Sequence, residues 1–170
     1  MQKFTYHSLA ELLTAAESCG VSLPHSADLS VLDTEKQIGI SRVRLKNRLT
    51  VHPMEGFDGN EDGSPGEWTM RRCERFAQGG AGLIWLEATA VVEEGRTSSS
   101  QLWLQDSTLD AFKALAERMH ALSGGTPLIL QLTHSGRFSR PHNIPAPVIS
   151  YHNPLMNEKM RIDPDYPVVT

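Results

Sequence analysis

An α/β fold built as part of a (β/α)₈ TIM barrel is what this 170-residue sequence predicts, and three observations predict it. Short apolar runs and amphipathic stretches alternate in the order strand, helix, strand, helix, strand, the pattern of parallel strands joined by right-handed helical crossovers. The apolar runs are nearly continuous, as strands covered on both faces require. The residues equipped for chemistry gather where those strands end, at Pro53-Met54-Glu55, Glu87-Ala88-Thr89, and Gln131 with His134 and Arg137; in a barrel that end carries the site. A doubly wound dinucleotide fold would need G-x-G-x-x-G between its first strand and helix, whereas Gly79-Gly80-Ala81-Gly82 precedes a strand.

The elements follow in order. Ser8-Leu9-Ala10-Glu11 is a capping box, and Leu9, Leu12, Leu13 and Ala16 continue at helical spacing until Gly20. Residues 21–46 are irregular, with short apolar pairs that suit a small hairpin. Leu49 to His52 reads as the first strand, and Gly56 to Gly63 as a loop in which Asp58, Glu61 and Asp62 are solvated. Ser64-Pro65-Gly66-Glu67 then offers a capping serine and a proline for the first helical turn, with Trp68, Cys73, Phe76 and Ala77 as the inward stripe and Gly79-Gly80 as the stop.

Ala81 to Ala88 is the second strand. After a loop through Glu93-Glu94-Gly95-Arg96, a helix spans about Thr108 to Leu122, started by Ser107 with Asp110. Its stripe is Leu109, Phe112, Leu115, Met119 and Leu122, and Gly124-Gly125 ends it. Leu128 to Leu132 is the third strand, buried on both faces, and Gln131 interrupts its apolar character. That amide is either a core glutamine satisfied by backbone or a group offered to the edge of a planar heterocycle. Three segments result: 1–46, an N-terminal helix and hairpin-like piece; 47–140, the first βαβαβ units; and 141–170, a loop-rich tail with no helix or strand. Only about the first three strands of a barrel are present, where a whole barrel takes about 250 residues. The sequence therefore reads as the N-terminal portion of a longer enzyme.

Composition narrows the function. A net charge of -4 and a pI near 6.0 give no basic footprint for nucleic acid, and no apolar run approaches the length of a membrane span. Cys19 and Cys73 have no C-x-x-C partner, so neither a disulfide framework nor a zinc site is encoded. A cytoplasmic protein meeting small molecules, and open to homo-oligomer formation, is the expectation.

Together Leu45-Lys46-Asn47-Arg48, His52-Pro53-Met54, Ala81-Gly82-Leu83-Ile84 with Glu87-Ala88-Thr89-Ala90, Glu94-Gly95-Arg96, and Gln131-Leu132-Thr133-His134-Ser135-Gly136-Arg137 form a set in fixed order. With them the sequence resembles the Old Yellow Enzyme family of NADH:flavin oxidoreductases. The resemblance implies a barrel with FMN at its mouth, NAD(P)H as reductant, and an electron-poor alkene or related conjugated compound as substrate, the ene-reductase reaction. It implies that Pro53, Met54 and Glu55 line the flavin after the first strand, that the backbone at Ala88 approaches it after the second, and that Gln131 bonds its pyrimidine edge. Glu55 departs from the threonine or cysteine of much of the family. Ionised, it would disfavour an anionic reduced ring; protonated, it could donate to the ring. The family's catalytic residues lie in later strands and have no counterpart in this sequence.

Two other readings stand beside this one. A metal-dependent barrel hydrolase would use His52, Glu55, Glu87 and His134, although no H-x-H or H-E-x-x-H spacing supports it. An inert half-barrel is the other. His134 is either turned to the site or a satisfied loop histidine, and Arg96 and Arg137 read as ion pairs that brace loops.

Overall fold

The computed structural model describes residues 5–39 and 43–169, so the first four residues and Thr170, at the ends of the outer two segments, lie outside the described residues. The chain divides into two compact units, 1–31 and 32–170. In the first, helix α1 (Leu9–Ser18) is capped as expected: Ser8 Oγ accepts from Glu11 N, while Glu11 reaches back to the amide of His7. Its apolar stripe is not buried, and Leu9 is 53% exposed, because so short a unit cannot enclose a core.

In the second unit, strands β1 (Lys36–Gln37) and β2 (Arg44–Leu45) form a small antiparallel pair, the expected hairpin; residues 40–42 between them are outside the described residues. Three parallel strands follow, β3 (Thr50–Val51), β4 (Leu83–Ala90) and β5 (Leu128–Thr133), in the spatial order β3-β4-β5. Helices α2 (Glu67–Gln78) and α3 (Leu109–Ser123) make the crossovers. Two consecutive βαβ units are thus present, as the alternation predicts.

The start of β3 is fixed by Asn47. Its Nδ2 donates to the Gly80 carbonyl at 2.8 Å, its Oδ1 accepts from Leu49 N at 3.1 Å, and the Leu49 carbonyl accepts from Gly82 N at 3.0 Å. Gly82 lies so close to Asn47 that a Cβ there would overlap its carbonyl, which is why the second strand opens on a glycine. The core lies between sheet and helices: Cys73 and Ala77 of α2, Ile84 of β4, and Leu115 and Met119 of α3 are buried together, with Val51, Leu86, Leu122 and Leu128 against them. Period-two alternation puts Trp85 and its register partner Ile129 on the other face, where they are 37% and 36% exposed.

Several expectations are corrected. Strand β5 is not covered on both faces: it is the edge of the three-stranded sheet, and Leu132 is 59% exposed. Trp68 is 61% exposed, with the Arg71 guanidinium 5.3 Å from its ring, and Thr69 takes the inward position. Leu109 likewise faces out at 41% exposure. Ser64 does not cap α2, whose N-cap is Gly66; it is held instead by Asp62, which accepts from its amide and hydroxyl. Thr108 rather than Ser107 stands at the start of α3, with its hydroxyl donating to the Trp103 carbonyl at 2.8 Å. The tail contains a helix after all, α4 (Pro154–Met160), started by Asn153 accepting from Met156 N. Asn followed by Pro at the first helical position is the signal that announces it.

Candidate functional site

The site is assembled where β3, β4 and β5 run out into loops. Strand pairing sets Ala88 of β4 opposite Gln131 of β5, immediately after a register irregularity at Leu86/Ala88. The Gln131 side chain is half-buried, and among the described residues it bonds to no protein group. A glutamine satisfied by backbone is therefore not what the structure contains.

After β3, Pro53 is half-buried and Met54 is 76% exposed. Glu55 turns inward. Its Oε1 accepts from Gln101 Nε2 at 3.1 Å, and the same Nε2 donates to the Ala88 carbonyl at 3.2 Å. Gln101 thus ties the segment after β3 to β4, although nothing in its sequence context marks it. Burial pushes the Glu55 carboxyl above its ordinary value, and the nearby Glu87 charge pushes it the same way, against the bond from Gln101.

Glu87 itself is locked. Its carboxylate accepts from Arg72 Nη2 at 2.6 Å and from Gly56 N at 2.8 Å, and its side chain is 4% exposed. Arg72 also bonds Asp58 at 2.7 Å, and Asp58 accepts from the Thr69 hydroxyl at 2.7 Å. The solvated reading of Asp58 is corrected: the loop folds back so that this acid shares the cation on α2 with Glu87. A Cβ at Gly56 would overlap the Arg72 guanidinium, so glycine here lets the cation reach both acids undisturbed. Arg72 is stabilised in its charged form by both acids despite its burial.

The remaining candidates take structural places. His134 Nδ1 accepts from Gly136 N at 2.9 Å and its ring packs against Gly95, so it is the satisfied loop histidine. Arg137 bonds Asn157 and the Tyr151 carbonyl. Arg96, 2% exposed, holds no carboxylate; it donates to the carbonyls of Glu61, Ser99 and Gln101, which replaces the expected ion pair with a clamp on the 97–101 loop. Among the described residues no three His, Cys, Asp or Glu side chains are placed to hold a metal ion, so His52, Glu55, Glu87 and His134 do not make the hydrolase site. No helix among those residues is long and apolar enough to cross a membrane.

The arrangement offers a mixed donor and acceptor at Gln131, a backbone carbonyl edge at Ala88 and an inward acid at Glu55. Glu87 and Gln101 beside them are already engaged, and the free groups fit a planar heterocycle with polar edges.

Comparison with known proteins agrees. The family model for the NADH:flavin oxidoreductase / NADH oxidase family matches residues 36–160. The NADPH dehydrogenase of Listeria welshimeri is 40% identical over 97 residues, 56% of this chain and 28% of that protein, and that of Bacillus pumilus is 38% identical over the same length. This chain thus spans under a third of the curated relatives it matches. Among solved structures, morphinone reductase in complex with tetrahydroNAD superposes with a TM-score of 0.58 at 28% identity, over 70% of this chain and 32% of that one. The Old Yellow Enzyme homologue of Zymomonas mobilis gives 0.60 at 24% identity, over 72% and 33%. The paired βαβ units are therefore part of a TIM barrel, and this chain belongs to the NADH:flavin oxidoreductase / NADH oxidase family, the Old Yellow Enzyme family.

Proposed function

We propose that this chain carries part of the FMN site of an NAD(P)H-dependent oxidoreductase of ene-reductase type, whose substrate is a small electron-poor alkene or related conjugated compound. The observation that carries this reading is the register pairing of Ala88 with Gln131, whose amide has no protein partner among the described residues, next to a network in which Gln101 and Glu87 are fully engaged. The chemistry that FMN would supply at this site is hydride transfer from NAD(P)H to the substrate.

The chain's own residues bind and orient. Gln131 holds the polar edge of the ring, its amide meeting donor and acceptor atoms alike. Pro53 and Met54 border it with apolar surface, the backbone at Ala88 bounds it from β4, and Glu55 stands beside it as a carboxyl that burial makes harder to ionise than a free one. The names of the relatives, NADPH dehydrogenase and morphinone reductase, support a nicotinamide-driven reduction. A cytoplasmic setting, where NAD(P)H is available, belongs to the reading. So does a homo-oligomer.

The test is the visible spectrum and FMN titration of the full-length protein, parent against Gln131→Leu, with NAD(P)H oxidation under a supplied enone. The substitution should weaken FMN binding by about 1–3 kcal/mol, because ring polar atoms lose their partner. A colourless parent that takes up no FMN, as an inert half-barrel would be, sinks the reading. A variant that keeps FMN as tightly removes Gln131 from the site.

A further inference from the structure

Gln101 is 1% exposed, and every hydrogen-bonding position of its amide that the fold can use is taken. The Oε1 accepts from Thr97 N at 2.7 Å, which leaves the NH₂ to face the two oxygens on its other side, Glu55 Oε1 at 3.1 Å and the Ala88 carbonyl at 3.2 Å. A backbone N–H is only a donor and a backbone carbonyl only an acceptor, so the amide cannot be turned round without breaking both contacts. The loop that carries it is held in turn: Arg96 donates to the carbonyls of Ser99 and Gln101, and Gln101 N donates to the Ser98 carbonyl.

We propose that Gln101 is the positioning residue of this site: its amide, locked in one orientation, holds Glu55 Oε1 as an acceptor and ties it to the Ala88 backbone, so that a proton on Glu55 resides on Oε2. Oε2 is then the one carboxyl atom of Glu55 left to meet a ligand. The charge that acts on it is Glu87 on β4, with Arg72 on α2 and Asp58 on the intervening loop bonded behind that acid. Both of those acids are committed to Arg72, and among the described residues no ion pair reaches Glu55. The Thr97 hydroxyl acts on Glu55 as well, yet it is buried without hydrogen-bond geometry to any partner, so Gln101 supplies the bond that orients the carboxyl. That the oriented atom meets a flavin rests on the function proposed above; the positioning itself does not.

The experiment follows the side-chain NH₂ pair of Gln101 and the Glu55 carboxyl carbon by NMR across the Glu55 titration, in this chain without flavin. In the parent, both N–H signals should move with the Glu55 midpoint, and Glu55→Gln should leave them flat over the same range. Gln101→Met should raise the proton affinity of Glu55 by roughly threefold, since a donor to the ionised form is lost, whereas a merely structural role would leave that midpoint where it was. An NH₂ pair that is flat in the parent overturns the proposal, and so does a folded Gln101→Met variant with an unmoved midpoint. If the variant does not fold, the parent's own signals decide. Because no flavin is present, the outcome is separate from whether the full-length protein binds FMN.

Discussion

Arg72 on α2 donates to Glu87 on β4 at 2.6 Å, and the acid it neutralises is 4% exposed while the arginine is 23% exposed. The pair joins α2 to β4, and through Gly56 N it also fixes the segment after β3. Removing the cation leaves a buried carboxylate facing only a backbone amide. Arg72→Ala should therefore destabilise the fold by about 3 kcal/mol, the lower end for a broken buried pair because the arginine is partly solvated. Arg72→Met combined with Glu87→Gln should restore much of that loss, since the buried charge at Glu87 is gone and Asp58, 21% exposed, keeps its bond from the Thr69 hydroxyl. Urea unfolding of the parent and the two variants checks this, and a double variant no better than Arg72→Ala would refute it.

Gly82 should be the least replaceable glycine of the sheet. A Cβ there overlaps the backbone carbonyl of Asn47, while at Gly56 it overlaps the end of the Arg72 side chain. Backbone cannot give way without moving β3, but a guanidinium can shift at the expense of its bonds. Gly82→Ala should thus lower the unfolding midpoint more than Gly56→Ala, and only the second should be softened by Arg72→Met. Equal losses would mean that the β3 start is more pliant than its bonds to Asn47 indicate.

The two thiols should behave oppositely. Cys73 is 2% exposed in the core between α2, β4 and α3, and burial pushes its thiol up to about 11, so little thiolate forms near neutral pH. Cys19 is exposed. A thiol reagent at mildly alkaline pH should modify one cysteine in the folded chain and two after denaturation. Rapid labelling of both in native conditions would contradict the burial of Cys73.

What the sequence makes legible is whatever depends on local pattern. The three strands, both crossover helices and the cap at Ser8 follow from periodicity and turn chemistry, whereas the register of Ala88 with Gln131 does not, because an irregularity at Leu86/Ala88 puts Ala88 rather than Glu87 opposite it. What depends on contacts between distant segments is not legible. Trp68 and Thr69 are both compatible with the α2 stripe, and the choice falls to Thr69 because Asp58, eleven residues earlier, offers its hydroxyl a partner. Gln101 lies in a loop with no periodic signal, so its bridge to Glu55 and Ala88 has no sequence signature. The exposure of Leu132 likewise reflects which strands are there to cover it, which no local pattern records. Helix α4 differs, since Asn153-Pro154 announces it and a composition argument about the tail hides it.

Glu55 gives the pH prediction. Its folded carboxyl lies above the ordinary value of 4.5 through burial first and Glu87 second. As pH rises past that ordinary value, the unfolded chain releases a proton that the folded chain still holds. Stability contributed by this group therefore falls through the window between the two values and changes no further above it. Other acids, Asp62 among them, are shifted downward and slope the opposite way at lower pH, so the signature is a difference between two proteins. Glu55→Gln keeps an acceptor for Gln101 and removes the titration. Parent and variant should be closely matched at the acid end, and the variant should gain on the parent as pH rises, with the gap levelling once Glu55 is ionised in both states. Urea midpoints of both proteins over a pH series measure it. A gap that stays constant, or that grows in favour of the parent, would show that the Glu55 carboxyl is no harder to ionise in the fold than out of it.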